Sequence, residues 1–410
     1  MTARSFCVIA HRWAGLSISG FVIVVGLSGA LLAFFGEFNR WLSPELFPPP
    51  HPGATLDAAT LARRAEAIAP QARIDTIYLG NPGTVVIGVS ARPGGAPLSY
   101  NQLFLDPVSG AELGRRKIGA WPRRLQEAMP FVYRLHMTLA VGEIGAWLLG
   151  VASLVWTIDC FAAFYLTLPP PGEHARKSYL QRWRASWVLK RSGSFYRLNV
   201  DLHRAGGLWL WAALFVFAWS GVYMNLNSVY SRVTETFFDY QQPLYFLDAA
   251  PTHEREAPMS WEAARERGRA LLDEKATAHG FTVLAEVALY RLHESGLYEY
   301  RVRSSRDIGE KYGQTAVWFD AATGALRQFA LPTGLRAGNT LTTWLYELHK
   351  ANVFGLPYRI FVAITGLATV VLSVTGVYIW LKKRTARRAA ARDGRRALRG
   401  IPAAATQGRH

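Results

Sequence analysis

Two cysteines in 410 residues, Cys7 and Cys160, leave no room for a disulfide framework, a cysteine-ligated iron–sulfur cluster or a C-x-x-C-H haem attachment. Acidic residues are also scarce, 29 against 46 Lys and Arg, for a formal charge of +17. In the C-terminal stretch Lys382, Lys383, Arg384, Arg387, Arg388, Arg392, Arg395, Arg396 and Arg399 face Asp393 alone. No stretch carries the alternating pattern of a membrane barrel. Asp, Glu and Lys are missing from the middles of the longest apolar runs, which gives a transporter reading little support; Asp159 is the main exception.

What is present is apolar and unevenly spread. Half of the residues are apolar, and they gather at about 12–36, 143–168, 204–226 and 356–381. Each stretch can cross a hydrocarbon core of ~30 Å as a helix, which needs about 20 residues. The basic residues cluster between the second and third stretches (Arg176, Lys177, Arg182, Arg184, Lys190, Arg191, Arg197) and after the fourth. Excess Lys and Arg in short flanking segments marks the cytoplasmic side, so both termini are expected inside and the long segments 37–142 and 227–355 outside. The charge is thus a topology signal, with anionic lipid as a second partner and no nucleic acid. Arg4 and Arg12 before an apolar run resemble a signal peptide, but the run is long and is expected to stay as a span.

Histidines open these stretches in two matched pairs. Setting His11 on His203, an offset of 192, also aligns Arg12 with Arg204, Gly15 with Gly207 and Ser28-Gly29 with Ser220-Gly221. Setting His136 on His349, an offset of 213, aligns Tyr133 with Tyr346, Leu135 with Leu348 and Gly142 with Gly355. Outside, Phe104–Gly110 and Trp318–Gly324 end strands in similar Asp/Ser/Thr/Gly turns. The expected fold is an α-helical integral membrane protein, four transmembrane helices from an internal duplication with two small α+β domains. Each domain reads as a helix (Leu56 to Ala69; Ser260 to His279) followed by β-rich runs.

The expected boundaries are a first transmembrane helix in 1–36, an outside domain in 37–135 and a second helix in 136–168. A basic cytoplasmic loop at 169–202, a third helix at 203–226, a second outside domain at 227–348, a fourth helix at 349–383 and a flexible tail at 384–410 follow.

One histidine at a membrane boundary ordinarily snorkels, caps a helix or binds headgroups. Four in register, beside hydrocarbon, point to a function. Neutral imidazole is a strong axial ligand for haem iron, and the expected arrangement is two non-covalent b-type haems, one held by His11 and His203 and one by His136 and His349. Whether each haem takes one histidine or two stays open. Zinc fits less well, since each pair lacks a third ligand. Glycines 15, 20, 26, 29, 206, 207 and 221 would admit a flat macrocycle, though small residues also pack membrane helices without one. His51, His174, His253, His279, His293 and His410 have no counterparts and are expected to play surface roles. One haem near each face would divide the crossing into short electron steps.

At these residues the chain resembles the PepSY-associated transmembrane, or iron-regulated membrane protein, family. HRWAGLSISGFVIVVGLSGALLAF is similar to its first span, DLHRAGGLWLWAALFVFAWSGV to its third and LHKANVFGLPYRIFVAITGLATVVLSVTGVYIWLKK to its fourth. The second, LHMTLAVGEIGAWLLGVASLVWTIDCFAAFYLTLP, is similar to the ferric-siderophore reductase branch. The resemblance implies a multi-pass bacterial inner-membrane protein with two periplasmic PepSY domains. It also implies that a di-haem core reduces siderophore-bound Fe(III) to Fe(II). Arg134, Tyr346, Lys350 and Trp344 are the substrate-side candidates, and a separate donor, a quinol or a cytoplasmic reductase, is required. The alternatives are a PepSY module that binds or regulates a periplasmic protein without redox chemistry, and a siderophore or metal transporter.

Overall fold

The computed structural model describes residues 2–170, 177–190, 194–246 and 258–399. Arg176, Arg191, His174, His253, His410 and the tail after 399 lie outside the described residues.

The chain opens with α1 (Ala3–Leu32) and α2 (Phe35–Leu42). α3 (Ala58–Ile68) starts where the Asp57 side chain accepts the Thr60 N–H, a side-chain cap on an orphan donor. Strands β1 (Ala72–Asn81), β2 (Thr84–Ala91), β3 (Gln102–Leu105) and β4 (Glu112–Arg116) follow. Then come α4 (Ala128–Thr138), α5 (Glu143–Thr167), α6 (Tyr179–Trp183), α7 (Phe195–Trp209), α8 (Trp211–Asn225) and α9 (Asn227–Phe237). α10 (Trp261–His279), capped by Ser260, leads into β5 (Val283–Leu292), β6 (Leu297–Ser304), β7 (Thr315–Asp320) and β8 (Leu326–Ala330). α11 (Ala337–His349) precedes α12 (Gly355–Arg399).

α1, α5 and α12 are each long and apolar enough to cross a membrane. The third stretch differs from expectation: α7 and α8 meet at 70° across Leu210, so among the described residues such helices number three, or four if the bent pair is one span. Gly206 and Gly207 weaken the last turn of α7. The indole N–H groups on either side of the break find carbonyls off the helix, Trp209 at Trp187 (3.1 Å) and Trp211 at Cys160 (2.8 Å). Hydropathy runs straight through such a break.

Two other boundaries are corrected. His136 and His349 do not begin the second and fourth spanning helices; they sit on α4 and α11. Between each short helix and the long one, the chain turns through positive φ at Leu139 and Ala140, and again at Ala351 and Phe354. Such angles cost non-glycine residues and break the helix. α12 also passes the expected end at 383 and stays helical to Arg399, since its Ala- and Arg-rich sequence favours helix.

The chain divides into two compact units, Met1–Leu27 with Ala152–Phe215 and Thr365–His410, and Ser28–Val151 with Val216–Ile364. The second unit contains all the strands. Instead of two separate sheets, they form one eight-stranded antiparallel sheet in the order β4-β3-β2-β1-β5-β6-β7-β8. Its two four-stranded halves join where Thr76, Ile77 and Tyr78 pair with Tyr290, Leu289 and Ala288. One core runs through both halves, with Leu61, Ile77, Ile87, Leu103, Leu272, Leu289, Val317 and Phe319 all buried in it. A half this small has little core of its own, and joining the halves lets it grow.

The two similar strand-ending turns are built alike. Asp106 accepts from the Val108 and Ser109 N–H groups at 2.9 and 2.7 Å, and Asp320 from Ala322 and Thr323 at 3.1 and 3.0 Å. Asp106 also takes a 2.6 Å bond from His51 Nε2, and this bond raises the His51 imidazole above its ordinary 6.5. Protonation is therefore favoured in the folded state. The contact is complete below pH 6.5 and is lost as pH rises through the raised value. Asp106→Asn is expected to return the His51 titration, followed by NMR, to near 6.5; an unchanged midpoint would contradict this.

Candidate functional site

In the first unit, His11 on α1 and His203 on α7 face one another with ring centres 5.9 Å apart and planes at 52°. His11 Nδ1 lies 3.0 and 2.9 Å from the two carboxylate oxygens of Asp159, a buried residue of the apolar helix α5. His203 Nδ1 lies 2.9 Å from the carbonyl oxygen of Leu372 and 3.2 Å from Thr375 Oγ1 on α12. A carbonyl that bonds a side chain this way must be reachable beside its own helix. Gly376 makes it so: a Cβ there would stand 3.0 Å from His203 Cε1.

In the second unit, His136 on α4 and His349 on α11 repeat the arrangement, with ring centres 6.0 Å apart at 68°. Ser28 Oγ lies 3.0 Å from His136 Nδ1, and Ser220 Oγ lies 2.6 Å from His349 Nδ1. Gly29 admits the His136 ring, since a Cβ there would also stand 3.0 Å from its Cε1. Phe217 packs edge-on against His349 at 5.3 Å. Desolvation, with His136 second, pushes the His349 imidazole down to about 3, so the ring is neutral and able to bind a metal.

For three of the four rings the Nδ1 partner settles which nitrogen the ring offers. The Asp159 carboxylate and the Leu372 carbonyl only accept. Ser220 gives its own proton to the Val216 carbonyl at 2.6 Å, so its oxygen accepts from His349. In His11, His203 and His349, Nδ1 is then the protonated nitrogen, Nε2 carries the lone pair, and the Nδ1 bond fixes the ring. Two imidazoles binding one metal from opposite sides, each at about 2 Å, have centres roughly 6 Å apart. Both pairs have that spacing. No group of three or more His, Cys, Asp or Glu side chains suited to a metal occurs among the described residues.

The substrate-side candidates do not all come together. Lys350 lies over the rings of Tyr346 (4.4 Å) and Tyr312 (4.7 Å), next to His349 in sequence. Tyr346 also packs against Tyr223. Trp344 stacks on Phe354 at 6.1 Å. Arg134 bonds the carbonyls of Ala120 and Ala140, at 3.1 and 3.0 Å, and so braces the turn after α4. Beneath Lys350, the buried Glu347 accepts from Asn352 Nδ2 at 2.5 Å and from Gln314. Burial raises the Glu347 carboxyl above its ordinary value.

Sequence reasoning missed the roles of Ser28, Ser220, Leu372, Thr375 and Gly376. A signal existed for the serines, polar residues matched at equivalent positions of two apolar helices. For a backbone carbonyl there was none.

The chain matches the model of a family described as PepSY-associated TM region over residues 8–383, nearly its whole length. No curated protein matches it.

Proposed function

This chain belongs to the PepSY-associated TM family, and we propose that it is a di-haem membrane reductase delivering single electrons to siderophore-bound iron(III). The carrying observation is the presence of two imidazole pairs at one spacing, 5.9 and 6.0 Å between centres, each ring held through Nδ1. Four such rings exceed what boundary anchoring asks of a histidine. The residues fit haem: His11 with His203 and His136 with His349 would each hold one, every ring is oriented by a bond at Nδ1, and Gly29 and Gly376 leave room for the rings of His136 and His203. Haem bound at each pair supplies a one-electron couple.

The chain's own residues do the rest. Ser220 holds the tautomer of His349, Asp159 and Leu372 hold those of His11 and His203, and Ser28 orients the His136 ring through Nδ1. Lys350, with Tyr346 and Tyr312 beneath it, offers a cation beside His349 for an anionic ferric chelate. Hard oxygen donors suit iron(III) and hold iron(II) less well. One electron converts the bound Fe(III) to Fe(II) and loosens the chelate. The electron comes from a separate donor, a quinol or a cytoplasmic reductase. In this reading the helices lie in the bacterial inner membrane, with the sheet in the periplasm.

The test is an absorption spectrum of the full chain purified in detergent from haem-replete cells, oxidised and dithionite-reduced, with haem counted per chain. A Soret band, a sharp reduced α-band and near two haems per chain are expected. Ferric siderophore should reoxidise the reduced protein, with Fe(II) trapped by a colour-forming chelator. A colourless protein overturns the reading.

A further inference from the structure

The two histidine pairs are not electrically equivalent, and the difference lies at one position. At His136 and His349 the Nδ1 partners are the same chemical group, the hydroxyls of Ser28 and Ser220. At His11 and His203 they differ. The offset of 213 that sets His136 on His349 also sets Asp159 on Leu372. His11 meets the carboxylate of Asp159, whereas His203 meets the main-chain carbonyl of Leu372 at the matching place. The carboxylate is 8% exposed, and His11 is the ion-pair partner it finds there. Burying such a group in an apolar helix carries a substantial cost. Fixing the tautomer of His11 does not require it, since a carbonyl does that for His203 and the Ser220 hydroxyl does it for His349.

We propose that Asp159 is a tuning residue that lowers the reduction potential at the His11/His203 site below that at the His136/His349 site. This rests on the haem reading above. A carboxylate accepting the Nδ1 proton draws that proton away and increases electron donation from Nε2. Greater donation, with a negative charge nearby, favours the ferric over the ferrous state. With a one-electron centre held at each pair, an electron at His11/His203 would be driven toward His136/His349: one site would lose an electron and the other gain it. The polarity comes from the chain itself and not from the donor or the substrate.

Spectroelectrochemical titration of the full chain in detergent tests this, with haem counted alongside. The wild type should show two midpoint potentials. Asp159→Asn should raise the lower one by about a tenfold change in the reduction equilibrium, about 59 mV for one electron, and leave the upper one and the haem count unchanged. A shift confined to the upper potential, or no shift, overturns the inference while leaving the di-haem reading intact. If Asp159→Asn sheds haem, His349→Ala decides instead. Its remaining potential should equal the lower wild-type value, and equality with the upper one overturns the proposal. A wild type without haem sinks the reading beneath it.

Discussion

On the proposed di-haem reading, His349→Ala is expected to lose one of two haems and nearly all reduction of ferric siderophore, while keeping the spectrum of the haem that remains. The imidazole removed stands 6.0 Å from His136, and its Nδ1 bond to Ser220 goes with it. His11, His203 and their anchors belong to the other compact unit and are untouched. Haem per chain measured by pyridine haemochrome, together with the rate at which the reduced variant is reoxidised by ferric siderophore, reads both effects. Retention of both haems would mean that His349 is no ligand. His203→Ala should give the complementary loss, and a variant missing either haem should be inactive, because the two would act in series.

The second large effect concerns the seam of the sheet. Leu289→Ala should destabilise the strand-bearing unit by ~2–5 kcal/mol, the ordinary cost of truncating a leucine in a packed core. Leu289 is 1% exposed and sits opposite Ile77, itself fully buried, in the middle of the three residue pairs that join the halves. The shared core implies that both halves lose stability in one transition. Tryptophan fluorescence during denaturant unfolding of the detergent-solubilised protein measures it. Leu284→Ala, at a site 59% exposed on the same strand, serves as control and should change stability by about 0.5 kcal/mol or less. Equal effects at the two positions would show that the seam carries no core.

Much of this was legible beforehand. Unbroken hydropathy located α1, α5 and α12 because a helix in hydrocarbon has to be apolar along its length. The start of α10 at Ser260 and the turns at Asp106 and Asp320 are local, each satisfied within a few residues. The matched histidines were visible as well, and the rings of His11 and His203, and of His136 and His349, lie 5.9 and 6.0 Å apart. What escaped was non-local or carried by the main chain. The 70° break at Leu210 is held by indoles bonding carbonyls at Trp187 and Cys160. The pairing of β1 with β5 joins residues more than two hundred positions apart, which no period in the sequence announces. His136 and His349 were assigned to the spanning helices because hydropathy is blind to φ, and four non-glycine residues of positive φ set them apart.

The seam also has a consequence in time. β1 is complete at Asn81 and pairs at once with β2, but its neighbour on the other side, β5, begins only at Val283. At synthesis rates of about 5–20 residues per second, the interval between them lasts on the order of ten to forty seconds. During it the first half carries an unpaired strand edge, the kind of surface that recruits other chains. The nascent chain must therefore wait for its own second half, and anything that stalls translation between the two lengthens the exposure.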